Sequence, residues 1–374
     1  MVIITTREQK GSFMETIKSI VILFGGISSE HEVSCVSAAS VLEHIDREKY
    51  DIRTIGITKE GNWFLTDSPA SDISDGSWEQ DENNRRAFIV PDRGTGGIMA
   101  ENADGTFEVI RTDVVFPVLH GRNGEDGTMQ GLLQLAGIPF IGSDTAASSA
   151  SMDKAITKAM IEHRGYVDQA RCYVVHQTAY DRDRNAQLEA VNSFFADTYP
   201  LFVKPANAGS SVGISKVKRA EDLEKALDLA FAEDCKVLVE EAITGREIEV
   251  AVLGNEEPQA SCIGEIFAAN EFYDYNAKYE NSKSQTAIVR DLEPEKEQEI
   301  KDKAISVYET MGCSGMSRVD FFLEDGGRVV FNEINTLPGF TSISMYPKLW
   351  EASGIPYDEL IDRLIKLALD KYER

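Results

Sequence analysis

The chain is written as short apolar runs separated by polar, glycine-bearing loops and by stretches with helical spacing. Ser19-Ile-Val-Ile-Leu-Phe24 is a continuous apolar run of strand length, followed by the loop Gly25-Gly26-Ile27-Ser28-Ser29-Glu30. Val33, Val36, Val41 and Ile45 then recur roughly on one face and predict a helix from Val33 to Ile45. Asp51–Thr58 reads as a strand, and Trp63-Phe64-Leu65 as a short one after a Gly61-Asn62 turn. Residues 68–107 are polar and glycine-rich, which predicts peripheral strands and loops. Val114–Leu119 is another buried strand, running into the loop His120-Gly-Arg-Asn-Gly-Glu-Asp-Gly127 and a helix from Met129 to Leu135. Strand, loop and helix in alternation predict a parallel sheet with helices packed outside it.

A second region begins near Gly142. Ser149–Glu162 reads as one helix with Lys154 inside it, Cys172–His176 and Leu201–Lys204 as strands, and Ala186–Phe195 and Ala220–Phe231 as helices. A third region starts near Val237-Leu-Val-Glu-Glu241. It holds several strands, a polar loop at 273–289, a helix Glu295–Met311, a hairpin at 317–335 and an amphipathic helix Tyr357–Tyr372. The expected division is an α/β domain over residues 1–143 and two α+β lobes over 144–238 and 239–374.

Bulk properties narrow the function. No apolar stretch approaches the roughly 18 residues of a membrane helix. Residues 1–13 lack a signal-peptide core and read as an extension ahead of Met14. The five cysteines (Cys35, Cys172, Cys235, Cys262, Cys313) form no CxxC pair, so reduced thiols in a cytoplasmic protein are expected. A net charge of −25 argues against a nucleic-acid partner.

The hairpin is the most informative segment. Asp325-Gly326 is a tight-turn signal. Counting back from a two-residue turn sets Asp320 against Phe331 and Arg318 against Glu333. Side chains alternate along strands, so Arg318, Asp320, Glu333 and Asn335 fall on one face. Two carboxylates, an amide oxygen and a guanidinium there make a hard-oxygen metal site beside an anion clamp. Taken alone, such a cluster is as readily a solvated polar face. The apolar neighbours Val319, Phe321, Phe322, Val329, Val330 and Phe331 count against that.

Four further segments carry chemistry. Leu201-Phe202-Val203-Lys204-Pro205 ends on a lysine and enters a loop, Gly209-Ser210-Ser211-Val212-Gly213, able to cradle phosphates. The Gly-Lys-Ser/Thr order of a P-loop is absent. Glu240 closes an apolar strand, where its carboxylate can accept from an exocyclic amine such as that of adenine, and Glu247 could take ribose hydroxyls. Gly25–Glu30 occupies the place of a dinucleotide fingerprint but lacks Gly-x-Gly-x-x-Gly, which disfavours a nicotinamide oxidoreductase. Glu30 there could hold a substrate ammonium. The loop from Asn335 to Met345 follows the metal-type strand, and backbone N–H groups near Gly339 could stabilise an oxyanion.

GGISSEHEVS, FPVLHGRNGEDGTMQGLLQLAGIPFIGSD, SMDK, FVKPANAGSSVGISKV, YDYNAKY, GCSGMSRVDFF and FNEINTLPGFTSISMYPKLWEASG, in this order over most of residues 20–355, resemble the D-alanine–D-alanine ligases of the ATP-grasp superfamily. The resemblance implies an ATP-grasp fold: a Rossmann-like parallel-sheet domain followed by two α+β lobes. It implies ATP and two Mg²⁺ ions, or Mn²⁺, as cofactors, D-alanine as substrate, a homodimer and a role in cell-wall precursor synthesis. Glu30 would bind the first D-alanine's ammonium, with Val33 and His120 close by. Lys154, Lys204, Glu240, Glu247 and the Gly209–Gly213 loop would hold ATP. Glu241, Ala242 and Ile243 would contact adenine, with Phe272 near the ring. Asn332 joins the ATP set, and Asp320, Glu333 and Asn335 would bind metal. Arg318 and the Gly339 N–H would meet the tetrahedral oxyanion. Ser344 and Met345 would sit at the second D-alanine, with Lys278 near its carboxylate. Glu30, Ser210 and Tyr279 would form the trio that closes a loop over the site. Tyr279 and Met345 favour D-alanine over D-lactate or D-serine as second substrate. Two segments depart from the family pattern, Ala287–Asp291 and Arg164–Arg171. A non-catalytic ATP-binding module is disfavoured by the intact set Arg318, Asp320, Glu333 and Asn335.

Overall fold

The computed structural model describes residues 18–209, 212–267 and 285–373. The first apolar runs build one mixed sheet from β1 (Lys18–Gly25), β2 (Tyr50–Ile57), β3 (Trp63–Thr66), β4 (Arg85–Ile89), β5 (Gly97–Glu101), β6 (Phe107–Arg111) and β7 (Val114–Val118), in spatial order β6-β5-β4-β3-β2-β1-β7. Only β2, β1 and β7 run parallel; the remaining pairs are antiparallel. The parallel sheet expected from the alternation is thus confined to three strands, of which β1 and β2 are joined through the helix His31–His44. The polar stretch after residue 68 adds antiparallel strands at one side, and its Trp78 is fully buried against Phe24.

The second sheet has the order β11-β10-β12-β9, from β9 (Cys172–His176), β10 (Leu201–Pro205), β11 (Ser215–Val217) and β12 (Lys236–Glu241), all antiparallel. Alternation sorts its two faces. Leu201, Val203, Val237 and Val239 join Val191, Phe195 and Leu227 of the covering helices in one core. Phe202, Lys204 and Glu240 take the opposite face, toward a cleft.

The third sheet has the order β15-β14-β13-β16-β17-β8, from β8 (Asp168–Gln169), β13 (Arg246–Gly254), β14 (Gln259–Phe267), β15 (Gln285–Ile288), β16 (Gly315–Leu323) and β17 (Val329–Asn335). One face buries Ile248, Val250, Val319, Phe321 and Phe331 against the helix Pro294–Thr310. The other face looks back at the second sheet and the first. A further core runs from Ile20, Phe24 and Phe116 of the first sheet through Phe340 and Tyr346 to Leu360 and Leu364 of the helix Tyr357–Tyr372. This shared core fixes the first and third sheets around one pocket. The helix expected over 149–162 is two helices, Thr145–Met152 and Lys154–Arg164. They part at Asp153, whose carboxylate caps the second helix by accepting from the Ala155 and Ile156 N–H groups, both at 3.1 Å. Lys154 therefore opens a helix instead of lying inside one.

Candidate active site

Two pockets meet along β17. One lies between the second and third sheets and is lined by Lys204, Glu240, Glu241, Ala242, Ile243, Glu247 and Asn332, among others. The other lies between the first and third sheets and is lined by Glu30, His120, Glu125, Lys154, Gly209, Arg318, Glu333, Asn335 and Gly339. Residues expected from separate segments are brought together here. Ser210, Ser211, Phe272, Lys278 and Tyr279 lie outside the described residues, as does much of the 273–289 loop.

What joins the pockets is an irregularity in the hairpin. A continuous register from a two-residue turn, as expected, does not occur. Leu323 pairs with Val329 and Phe321 with Phe331, then the register shifts, and Asp320 pairs with Glu333 and Arg318 with Asn335. The turn is longer than two residues: Gly327 N–H donates to the Glu324 carbonyl and Glu324 N–H to that of Arg328. This would by itself have sent Glu333 and Asn335 to the core face with Phe331. The bulge at Asn332 reverses the parity, a recurrent use of bulges beside active sites. Asn332 then faces one pocket and Glu333 the other. The four expected side chains do share a face, but by a bulge and not by uninterrupted alternation.

Charge on that face is one-sided. Glu249, Asp320 and Glu333 form a cross-strand row, since Asp320 pairs with Glu249 on one side and Glu333 on the other. Like charges opposite one another repel. Arg318 answers two of them: its Nε and a terminal nitrogen donate to Asp320 at 2.8 and 2.6 Å, and its Nε lies 3.2 Å from Glu249. Burial disfavours the guanidinium, yet the carboxylates of Asp320 and Glu249 hold its pKa well above the ordinary arginine value. Asn335 Nδ2 donates to Asp320 at 3.3 Å, and Lys154 Nζ lies 3.9 Å from Glu333. Among the described residues no three acidic, histidine or cysteine side chains converge to hold a metal by themselves. The donor set fits a hard cation whose shell is completed by phosphate oxygens, which is how magnesium is commonly held beside a nucleotide.

In the cleft, Glu240 is buried between two ammonium groups, Lys158 at 3.0 Å and Lys204 at 2.8 Å. Burial alone would raise its pKa, but the two lysines outweigh that and hold it at about 2. Lys204 also donates to Asn332 Oδ1 at 3.3 Å. Lys154 donates to the Ala208 carbonyl at 2.8 Å, which ties the start of that helix to the glycine-serine loop. The sequence reading missed Lys158, because nothing local marks a contact made 82 residues along the chain.

In the other pocket, a Cβ on Gly121 or Gly209 would fall 2.8 or 3.0 Å from Glu30 Oε2, so glycine at both places gives that carboxylate room. His120 Nδ1 lies 3.1 Å from the Leu337 carbonyl and Nε2 3.3 Å from Ser37 Oγ. A carbonyl can only accept, so Nδ1 carries the proton and Nε2 accepts from the serine. Burial, more than any neighbour, lowers the imidazole's pKa and keeps it neutral. Gly339 lines the pocket, with Ser344 Oγ 2.9 Å from where its Cβ would stand. Ser344 Oγ also accepts from the Thr341 N–H at 3.1 Å. Val33 and Met345 are not brought to the lining. Both are buried, and the Met345 methyl occupies the space a Cβ on Gly264 would need.

Glu125, to which no local sequence pattern gives a role, opens partly to this pocket and accepts the Gly121 N–H at 2.9 Å. Burial, then the charge of Glu30, pushes its carboxyl up to about 8. The folded chain thus holds a proton that the unfolded chain releases near 4.5, so the folded state loses stability as pH rises from about 5 to about 8. Glu125→Gln is expected to flatten that loss. Its melting temperature should change less over this window than that of the unaltered protein, and parallel curves would show Glu125 ionised throughout.

A cleft between an antiparallel sheet and a second that is antiparallel in all but its β17–β8 pair, opening onto a pocket at the end of a Rossmann-like sheet, defines an ATP-grasp enzyme. Two solved structures share it: the VanG D-Ala:D-Ser ligase from Enterococcus faecalis, with TM-score 0.84, 38% identity and coverage of 94% of this chain and all of that one, and the D-alanine-D-alanine ligase from Coxiella burnetii, with TM-score 0.83, 36% identity and coverage of 96% of each. Family models described as D-ala D-ala ligase N-terminus and C-terminus match residues 19–143 and 163–366. Relatives named D-alanine--D-alanine ligase include one from Caldicellulosiruptor bescii, 50% identical over 94% of this chain and 95% of its own length, and one from Ruminiclostridium cellulolyticum, 47% identical over 95% and 96%. The chain belongs to the D-alanine–D-alanine ligase family.

Proposed function

We propose that the chain joins two D-alanine molecules in an ATP-dependent reaction through a D-alanyl-phosphate, supplying a cell-wall precursor. The observation that carries this reading is the bulge at Asn332, which turns one side chain to the cleft and the next to the Glu30 pocket. A nucleotide in the first can present its terminal phosphate to a carboxylate in the second. Lys204 in the cleft and Lys154 in the adjoining pocket would meet phosphates, Glu240 and the 241–243 backbone would meet adenine, and Glu247 would meet ribose. Asp320, Glu333 and Asn335 would hold two Mg²⁺ ions, or Mn²⁺, whose chemistry is to neutralise phosphate charge. Glu30 takes the ammonium of the first D-alanine beside His120.

The carboxylate oxygen of that D-alanine attacks the γ-phosphorus, and the bond to the bridging oxygen of ADP breaks. The amine of the second D-alanine then attacks the acyl carbon, loses a proton and expels phosphate. Arg318 and Gly339 both line the Glu30 pocket, and the guanidinium and the Gly339 N–H would stabilise the tetrahedral oxyanion. Positioning and charge neutralisation are what phosphoryl transfer asks of a protein. Ser210 and Tyr279 would close over the acyl-phosphate with Glu30, and Lys278, Ser344 and Met345 would serve the second D-alanine.

The likeness to a D-Ala:D-Ser ligase is the observation behind a second reading, with D-serine in the acceptor position. Apolar Met345 and the relatives of higher identity favour D-alanine. Phosphate release measured with ATP and D-alanine alone is expected to match that with added D-serine or D-lactate. Release only when one of these is added would overturn the choice of D-alanine.

No helix among the described residues is long and apolar enough to cross a membrane. A cytoplasmic homodimer built through the N-terminal region, where Phe88, Phe107 and Val109 are exposed on β4 and β6, completes the proposal.

A further inference from the structure

The helix Lys154–Arg164 carries a second lysine that the reaction described above does not use. Lys158 lies one turn beyond Lys154, is 8% exposed, and directs its ammonium at Oε1 of Glu240, 3.0 Å away. Lys204 reaches the other oxygen at 2.8 Å. Glu240 is itself 4% exposed. Lys204 and Glu240 line the cleft, whereas Lys158 lies behind the carboxylate and lines neither pocket. Its Nζ has no well-aligned hydrogen bond among the described residues, so the ion pair is what holds it.

A buried carboxylate against one ammonium is a neutral pair, and such a pair offers an approaching anion little net attraction. Two ammoniums on one carboxylate leave one positive charge. In a site with little water that charge acts more strongly than it would at the surface. Removing one partner of a buried charged cluster is correspondingly costly.

We propose that Lys158 is a positioning residue that neutralises Glu240 and so leaves the charge of Lys204 for the nucleotide phosphates. This rests on the reading of the cleft as the nucleotide site. Glu240 would otherwise have two conflicting tasks, to accept from adenine and to leave Lys204 unquenched; the second lysine removes the conflict. The carboxylate stays ionised in this setting, because the lysines overcome the effect of burial.

The test is calorimetric titration of the full-length protein with Mg·ADP, with melting temperatures measured in parallel. Lys158→Met is expected to weaken ADP binding by about tenfold or more, and Lys158→Arg to bring it back to within about threefold of the unaltered protein. The deciding variant combines Lys158→Met with Glu240→Gln. With the carboxylate also gone, Lys204 is again unquenched, and ADP should bind several-fold more tightly than to Lys158→Met alone. A lysine with a merely structural role predicts that the two losses add. A double variant no tighter than the single one overturns the proposal, as does Lys158→Met binding within about threefold of the unaltered protein. If Lys158→Met does not fold, the double variant decides alone: ADP binding within about tenfold of the unaltered protein supports the proposal, and weaker or absent binding overturns it. Failure of the unaltered protein to bind ADP would overturn the nucleotide reading of the cleft and this inference with it.

Discussion

Glu333→Ala is expected to lower kcat by at least about a hundredfold while leaving the melting temperature nearly unchanged. The reasoning starts from position. Glu333 follows the bulge, faces the pocket with Arg318 and Asn335, and ends the row that begins at Glu249. Its side chain is 28% exposed, so its removal opens no cavity in a packed core. What is lost is negative charge at the place where the two pockets meet. If that charge holds a divalent cation against phosphates, turnover with Mg·ATP collapses, and Glu333→Gln collapses nearly as far because an amide keeps the shape without the charge. Steady-state kinetics with both variants decide the matter. A kcat within tenfold of the unaltered protein in Glu333→Ala would refute the metal assignment, and full activity in Glu333→Gln would show that shape and not charge matters.

The same row shows what could be read before the structure and what could not. The apolar runs locate β1, β7, β10 and β16 almost to the residue, because a buried strand needs a continuous or alternating set of large side chains. The common face of Arg318, Asp320, Glu333 and Asn335 was also legible, though the register that led to it was wrong. A bulge leaves no mark in a pattern of period two except a polar residue out of phase, and Asn332 between Phe331 and Glu333 is such a residue only in hindsight. The break at Asp153 did have a signal, an aspartate just ahead of Lys-Ala-Ile, a usual N-cap placement. It was masked by small residues that continue the helical run on both sides. Lys158, Glu249 and Glu125 act through partners on other elements, and no local spacing encodes which elements will meet. Val33 and Met345 belong to segments that resemble a substrate site, yet both are buried and neither lines the pocket, and no local pattern separates a residue that lines a site from one that packs beside it.

Arg318→Met should cost both activity and the fold's stability, and the two losses should separate. Arg318 is the guanidinium wedged between Asp320 and Glu249, which are opposite one another on adjacent strands and both nearly inaccessible. Its removal leaves two buried carboxylates without their cation. Breaking a buried pair in this way typically costs about 3–5 kcal/mol, or a drop in melting temperature of roughly 5–15 °C for a chain of this size. Arg318→Lys keeps the charge but cannot make the two parallel contacts to Asp320, so a smaller drop is expected. Adding Asp320→Asn and Glu249→Gln to Arg318→Met takes away the stranded charges and should recover much of the stability. Activity should not return, because the group proposed to stabilise the tetrahedral oxyanion and the carboxylate proposed to hold metal are both gone. Thermal melts and phosphate release on the single, conservative and triple variants give the comparison. Stability unchanged in Arg318→Met would mean that water reaches and solvates Asp320 and Glu249. Activity regained in the triple variant would mean that the arginine's part is structural and that the oxyanion is met elsewhere.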